Sequence, residues 1–118
     1  MDLTIYEYSK CSTCRKAVKW LKDQGHNVKQ IPIVEEPPTV QELEKLVASS
    51  GLELKKWFNT SGEVYKALQL KDKLPGMSVE EQFKLLSENG KLLKRPIVTD
   101  GNKTTIGFKE DQYADAWS

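Results

Sequence analysis

Polar and apolar residues alternate over Leu3-Thr4-Ile5-Tyr6-Glu7-Tyr8, a run rich in β-branched and aromatic side chains, which predicts an opening strand. The period then changes. Cys14, Ala17, Val18 and Leu21 recur at helical spacing, and Gly25 supplies a stop. Val28 to Val34 reads as a second strand, in which Pro32 calls for an edge position or a bulge because it lacks an amide donor. Thr39-Val40-Gln41-Glu42 has the form of a capping box, and Val40, Leu43, Leu46 and Val47 give the helix behind it one apolar face, closed by Gly51. A short helix is predicted at Leu54–Phe58 and another from Ser61 or Gly62 to Leu70. Ser78-Val79-Glu80-Glu81 repeats the capping box, with Val79, Phe83 and Leu86 on one face and Gly90 as the stop. Arg95 to Thr99, the turn Asp100-Gly101-Asn102, and Thr104 to Phe108 form a hairpin pattern, and Glu110 to Trp117 a last helix.

The order is β-α-β, several helices, then β-β-α. This is an α/β arrangement of thioredoxin-like type, a mixed sheet with a helical insertion over about residues 39–90 between its halves. With 118 residues and no linker, repeat or low-complexity tract, the expectation is one domain spanning 1–118. Charged residues are 30% of the chain and nearly cancel, 18 Lys and Arg against 17 Asp and Glu. That balance argues against direct nucleic-acid binding, which needs a strongly basic face. The opening Met1-Asp2-Leu3-Thr4-Ile5 has no signal-peptide pattern, and no apolar run approaches the ~20 residues of a membrane span. A cytoplasmic monomer is expected, and in that compartment structural disulfides are rare.

The chain's two cysteines therefore need another explanation. Cys11-Ser12-Thr13-Cys14 follows a strand and opens a helix, the setting in which Cys-x-x-Cys signals redox chemistry. First-turn amides of Ser12, Thr13 and Cys14, the helix dipole, and the cations Lys10 and Arg15 would all favour a Cys11 thiolate, the reactive form. Cys14, one turn on, is the candidate resolving thiol, since residues three apart on a helix lie ~5–6 Å apart, within disulfide reach. Two plainer readings stand beside this. The pair is half of a zinc site, although the remaining candidate, His26, sits beyond the helix end; or Cys14 is core and Cys11 an incidental thiol. No metal and no bound cofactor are expected. His26, between Gly25 and Asn27, reads as an exposed loop residue, and Trp20, Trp57 and Trp117 as core or edge packing.

Ile5-Tyr6, the run Cys11-Ser12-Thr13-Cys14-Arg15-Lys16-Ala17 with Trp20-Leu21, Leu92-Leu93-Lys94-Arg95-Pro96-Ile97-Val98, and Gly107-Phe108-Lys109-Glu110-Asp111 together resemble the ArsC/Spx family. That family comprises glutaredoxin-linked arsenate reductases and Spx-type regulators, and the likeness runs over almost the whole chain. It implies the thioredoxin-like fold with its helical insertion. It also implies a nucleophile at Cys11, an anion- or thiol-orienting arginine at Arg95, and a cis Pro96 beside the cysteines. Arsenate reductases of the family grip the oxyanion with three arginines. One matches Arg95, but the others would fall near Ser61 and Phe108, and the position of Cys14 is not a cysteine in those enzymes.

The resemblance thus leaves two functional readings open. One is a thiol-dependent oxidoreductase, arsenate reductase-like but poor with arsenate, drawing electrons from glutathione, glutaredoxin or thioredoxin and acting on a small anionic substrate or thiol partner. The other is a redox-sensing regulator of Spx type, which works through the RNA polymerase α subunit rather than on DNA. Cys14, completing Cys-x-x-Cys, favours the regulator branch or an uncharacterised one. Ser61, where that branch carries arginine, and the lack of a basic tail after Ser118 depart from it.

Overall fold

In a computed structural model, which describes residues 1–117, β1 (Asp2–Glu7), α1 (Ser12–Asp23) and β2 (Asn27–Pro32) form a βαβ unit whose strands pair in parallel. β3 (Ile97–Thr99) joins the other side of β1 and β4 (Thr104–Ile106) pairs with β3, both antiparallel. The sheet order is β2-β1-β3-β4. Between its halves lie α2 (Val40–Ser50), α3 (Glu63–Ala67), α4 (Leu70–Lys73) and α5 (Val79–Glu88), with α6 (Glu110–Trp117) after the hairpin. This is the thioredoxin-like mixed sheet with a helical insertion that the element order predicts. β2 is an edge strand, and Pro32 is its last residue, so the missing amide interrupts no ladder.

Side-chain alternation along β1 divides the core between two faces. Leu3 and Ile5 point to one side, where Ala17 and Leu21 of α1, Val98, and Tyr113 and Trp117 of α6 are all buried. Tyr6 points to the other, against Leu43 and Leu46 of α2, Trp57, Phe58, Leu86 of α5, Leu92, Leu93 and Ile97. Each fully buried Leu, Ile or Val side chain is worth about 1.5–3 kcal/mol, so both faces are needed to hold a sheet whose second half has strands of three residues. The deepest tryptophans keep their ring N–H paired, Trp57 to Ser50 Oγ at 3.3 Å and Trp117 to Thr105 Oγ1 at 3.1 Å.

Both predicted capping boxes form. Thr39 Oγ1 accepts from the Glu42 amide at 3.2 Å and Ser78 Oγ from the Glu81 amide at 3.1 Å, each glutamate reaching back to its cap. Three local expectations are corrected. The helix expected to run unbroken to Leu70 stops at Ala67, because Gln69 takes a left-handed φ of 54° that no helix can continue through. Val79, expected on the buried face of α5, is 60% exposed, since it sits in the first turn before the helix reaches its neighbours. His26 is half-buried rather than an exposed loop side chain, with its Nε2 hydrogen-bonded to the Trp117 carbonyl oxygen.

Candidate functional site

Cys11 ends the loop after β1 and is the N-cap of α1, with extended backbone (φ −97°, ψ 115°) and a side chain that accepts from a first-turn amide. The loop is held by the Cys11 amide, which donates to the Tyr8 carbonyl at 2.9 Å. The Cys14 amide donates to Cys11 Sγ at 3.4 Å. Cys14 itself is fully buried on the core face of α1, while Cys11 is half-buried; both are free thiols.

Arg95 reaches the site from the loop before β3. Its guanidinium lies over the Tyr8 ring, 4.9 Å from the centroid, and Nη1 donates to the Lys91 carbonyl at 3.4 Å. Its Nε is buried without a hydrogen-bond partner among the described residues. The peptide bond between Arg95 and Pro96 is cis, as the resemblance implies for this position.

These neighbours set opposite thiol chemistry at the two cysteines. Partial burial pushes the Cys11 thiol up, but hydrogen bonds from the Cys14 thiol and amide and from Arg95, with the arginine charge, together hold it below its ordinary 9.0. Burial pushes the Cys14 thiol up to about 12, and the Cys11 charge nearby adds to that. At neutral pH the outer sulfur is the more readily ionised and the inner one stays protonated. The stabilising contacts differ in part from those expected. Arg15 Nη1 donates to the Ser9 carbonyl at 2.7 Å and Lys10 is exposed, while the contacts that lower the Cys11 thiol come from Cys14 and Arg95. Ser12 and Thr13 are exposed at the start of α1, Thr13 lining the same cleft as Cys11, and the first-turn amide that meets the sulfur is that of Cys14.

Cys11 opens onto a cleft of about 440 Å³. Arg95, Lys94 and Lys109 give it three cations, Asn59, Ser61 and Gln112 add neutral polar groups, and Ile106, Gly107 and Phe108 make an apolar wall. Ser61 and Phe108, fifty residues or more from Cys11 in sequence, both face this space. Phe108 is fixed edge-on against Tyr113 (centroids 4.8 Å apart), whose hydroxyl donates to the Gly107 carbonyl at 2.9 Å. His26 does not line the cleft, and no three His, Cys, Asp or Glu side chains cluster to hold a metal ion among the described residues. Lys94, Asn59 and Gln112 line the cleft although nothing in the sequence separates them from surface polar residues.

A thioredoxin-like sheet with a helix-capping Cys-x-x-Cys beside a cis-proline arginine defines a class, and the chain belongs to the ArsC family, whose model it matches over residues 6–116. It is 54% identical to the uncharacterized protein YusI of Bacillus subtilis strain 168, over 100% of both chains. It is 32% identical to the global transcriptional regulator Spx of Enterococcus faecalis, over 93% of this chain and 82% of that one. Among solved structures, a possible arsenate reductase from Streptococcus mutans superposes with a TM-score of 0.86 at 43% identity, covering 95% of this chain and 97% of the other. None of the helices is long and apolar enough to cross a membrane among the described residues.

Proposed function

We propose that this chain is a cytoplasmic thiol-disulfide redox protein in which Cys11 attacks and Cys14 resolves. The observation that carries this reading is the pairing of a stabilised, accessible Cys11 sulfur with a buried, protonated Cys14 one turn away. Cys11 as thiolate attacks a disulfide sulfur, a mixed disulfide forms, and the leaving thiolate takes up a proton. Cys14 then loses its proton and attacks Cys11 Sγ, releasing the bound partner and leaving the intramolecular disulfide. Arg95 orients the incoming anionic or thiol group. Glutathione, glutaredoxin or thioredoxin returns the pair to the dithiol.

The cleft supports a weak arsenate reductase at most, because it offers one arginine where an oxyanion needs several forked donors. A second reading is favoured by the likeness to Spx together with the Cys-x-x-Cys pair: a redox-sensing regulator that binds RNA polymerase through its α subunit. Two measurements on the same reduced protein separate the readings. Thiol-coupled turnover of small disulfides and of arsenate supports the reductase; retention of purified RNA polymerase α subunit by the reduced or oxidised form, without turnover, supports the regulator. An inert Cys11 toward every disulfide would exclude the redox chemistry common to both.

A further inference from the structure

Trp20 on α1 and Phe108 just before α6 are both half-buried, and each packs edge-on against the buried Tyr113 ring, with centroids 5.6 Å and 4.8 Å from it. The two outer rings line a second cleft, of about 290 Å³, whose rim carries Lys16, Lys19, Asp23 and Glu110. Lys19 and Asp23 neutralise each other at 2.7 Å, which leaves the Lys16 ammonium on α1 and the Glu110 carboxylate on α6. This cleft is therefore net neutral over a rigid aromatic floor. The Cys11 cleft is its opposite in charge, with Lys94, Arg95 and Lys109 and no carboxylate in its lining. Phe108 lines both, so the two join into one trough that leads from the nucleophile along α1.

A ligand confined to the Cys11 cleft stops short of Trp20, which is absent from its lining. Trp20 lies nine positions after Cys11, or ~13 Å along the helix at ~1.5 Å per residue. An extended polypeptide covers that span in about four residues at ~3.3 Å each. Charge then sorts the side chains of such a polypeptide. An acidic residue beside its cysteine meets the three cations, and a large uncharged ring meets the neutral shelf. We propose that the Trp20–Phe108 shelf is a specificity subsite for a protein disulfide, seating an aromatic side chain about four residues from the cysteine that Cys11 attacks. The subsite rests on the thiol-redox reading and names the sequence character of the partner. In the exchange, the Cys11 thiolate attacks the sulfur of that partner cysteine. The Cys11–partner S–S bond forms and the partner's own S–S bond breaks. The departing sulfur leaves with the electron pair and takes up a proton.

The test uses the Cys14→Ser protein, whose Cys11–peptide adduct persists for mass spectrometry. Its probes are short peptides with one central cysteine, flanked by a glutamate and activated as the 2-pyridyl disulfide, which has a neutral leaving group. Tryptophan is placed about two or about four residues to either side of the cysteine, or left out. The expected result at sub-saturating peptide is an adduct formed about tenfold faster with tryptophan four residues away, on one side, than without it, the scale of one aromatic anchor. The placement two residues away should gain less, and a lysine in place of the glutamate should slow the best peptide. Trp20→Ala should bring the tryptophan preference to about one, whereas Val79→Ala, at an exposed position on α5, should leave it intact. The placement series needs no variant and decides by itself should Trp20→Ala fold poorly. Equal rates for all placements, a lysine peptide as fast as its glutamate counterpart, or a preference that survives Trp20→Ala overturns the subsite while leaving Cys11 redox-active. No adduct with any peptide overturns the redox reading and the subsite together.

Discussion

The Arg95 guanidinium sits 4.9 Å from the centre of the Tyr8 ring while also stabilising the Cys11 sulfur, so one side chain joins the loop after β1 to the loop before β3. Stacking on an aromatic face suits the planar, weakly hydrated guanidinium, and it fixes the charge where a thiolate can use it. Removing that charge raises the Cys11 pKa. With Arg95→Met in a Cys14→Ser background, alkylation of Cys11 by iodoacetamide at neutral pH should slow roughly tenfold, the effect of one charge-assisted hydrogen bond of ~1.5 kcal/mol. Arg95→Lys should recover only part of the rate, because lysine keeps the charge without the stacked plane. An unchanged rate–pH profile in Arg95→Met would show that the Cys14 contacts alone hold the thiolate.

The two cysteines should also shape the stability of the reduced protein in opposite ways. Cys11 is lowered by folding, so between its folded pKa and 9.0 the unfolded chain binds more protons and stability rises with pH. Cys14 is raised to about 12, so above 9.0 the folded protein holds a proton that the unfolded chain has lost, and stability falls toward pH 12. Denaturation midpoints of the reduced protein should therefore climb toward pH 9 and then decline. Tyr6, pushed up to about 12 by burial and by Glu42, deepens the decline above pH 10. Cys14→Ala should flatten the fall between pH 9 and 10; a fall of the same steepness in that variant would mean that Cys14 is not responsible.

Much of the sheet was legible because its signals are local. The alternation of Leu3 to Glu7, the Thr39 and Ser78 capping boxes, and the Asp100-Gly101-Asn102 turn each specify their element within a few residues. The break at Gln69 was not, since no glycine or proline marks it; the left-handed residue stands directly before Leu70, which is buried in the core at 2% exposure. The chemistry divides the same way. Cys-x-x-Cys and the helix start can be read in one line of sequence, but the partner that most helps Cys11 outside its own helix is 84 positions away. Lys10 and Arg15 were the plausible cations by proximity in sequence, yet the structure turns Arg15 toward Ser9 and brings Arg95 in from β3's loop.

Gly90 shows a constraint of close approach rather than of backbone dihedral. A Cβ added there would lie 2.0 Å from the Ile33 carbonyl oxygen and 2.9 Å from Val34 Cα, both backbone atoms that follow β2. Neither can rotate aside, so the whole segment must move. Gly90→Ala should cost at least ~2–3 kcal/mol, within the range seen for overpacked interiors. Gly76→Ala, where nothing lies within 4 Å, should change stability by less than about 0.5 kcal/mol. Urea midpoints of the two variants, compared at equal m-values, test the contrast. Equal midpoints would mean that the chain after β2 yields easily.

Arsenate offers the sharpest test of what the cleft lacks. The oxyanion is negatively charged at neutral pH, and binding it beside a thiolate sets like charges together. Charge-assisted hydrogen bonds have to offset that repulsion, and forked arginines do so best. Here the cleft holds Arg95, with Ser61 and Phe108 at the positions where the resemblance places two more arginines. Lys94 and Lys109 add charge without the fork. At ~1.5–3 kcal/mol per missing contact, two absences amount to ~3–6 kcal/mol, or roughly two to four powers of ten in affinity. Ser61 is exposed and its hydroxyl donates to the nearby Asn59 Oδ1 at 3.2 Å, so Ser61→Arg should fold normally. Phe108→Arg gives up the edge-on contact with Tyr113 and should lose about 1 kcal/mol of stability. Steady-state arsenate reduction, coupled first to glutathione and glutaredoxin and then to thioredoxin, should be barely measurable in the natural chain. It should rise at least tenfold with Ser61→Arg and further in the double variant, chiefly through a lower KM. Efficient turnover by the natural chain at micromolar arsenate would show that the lysines suffice, and a double variant no better than its parent would show that Ser61 and Phe108 face the cleft without facing the oxyanion.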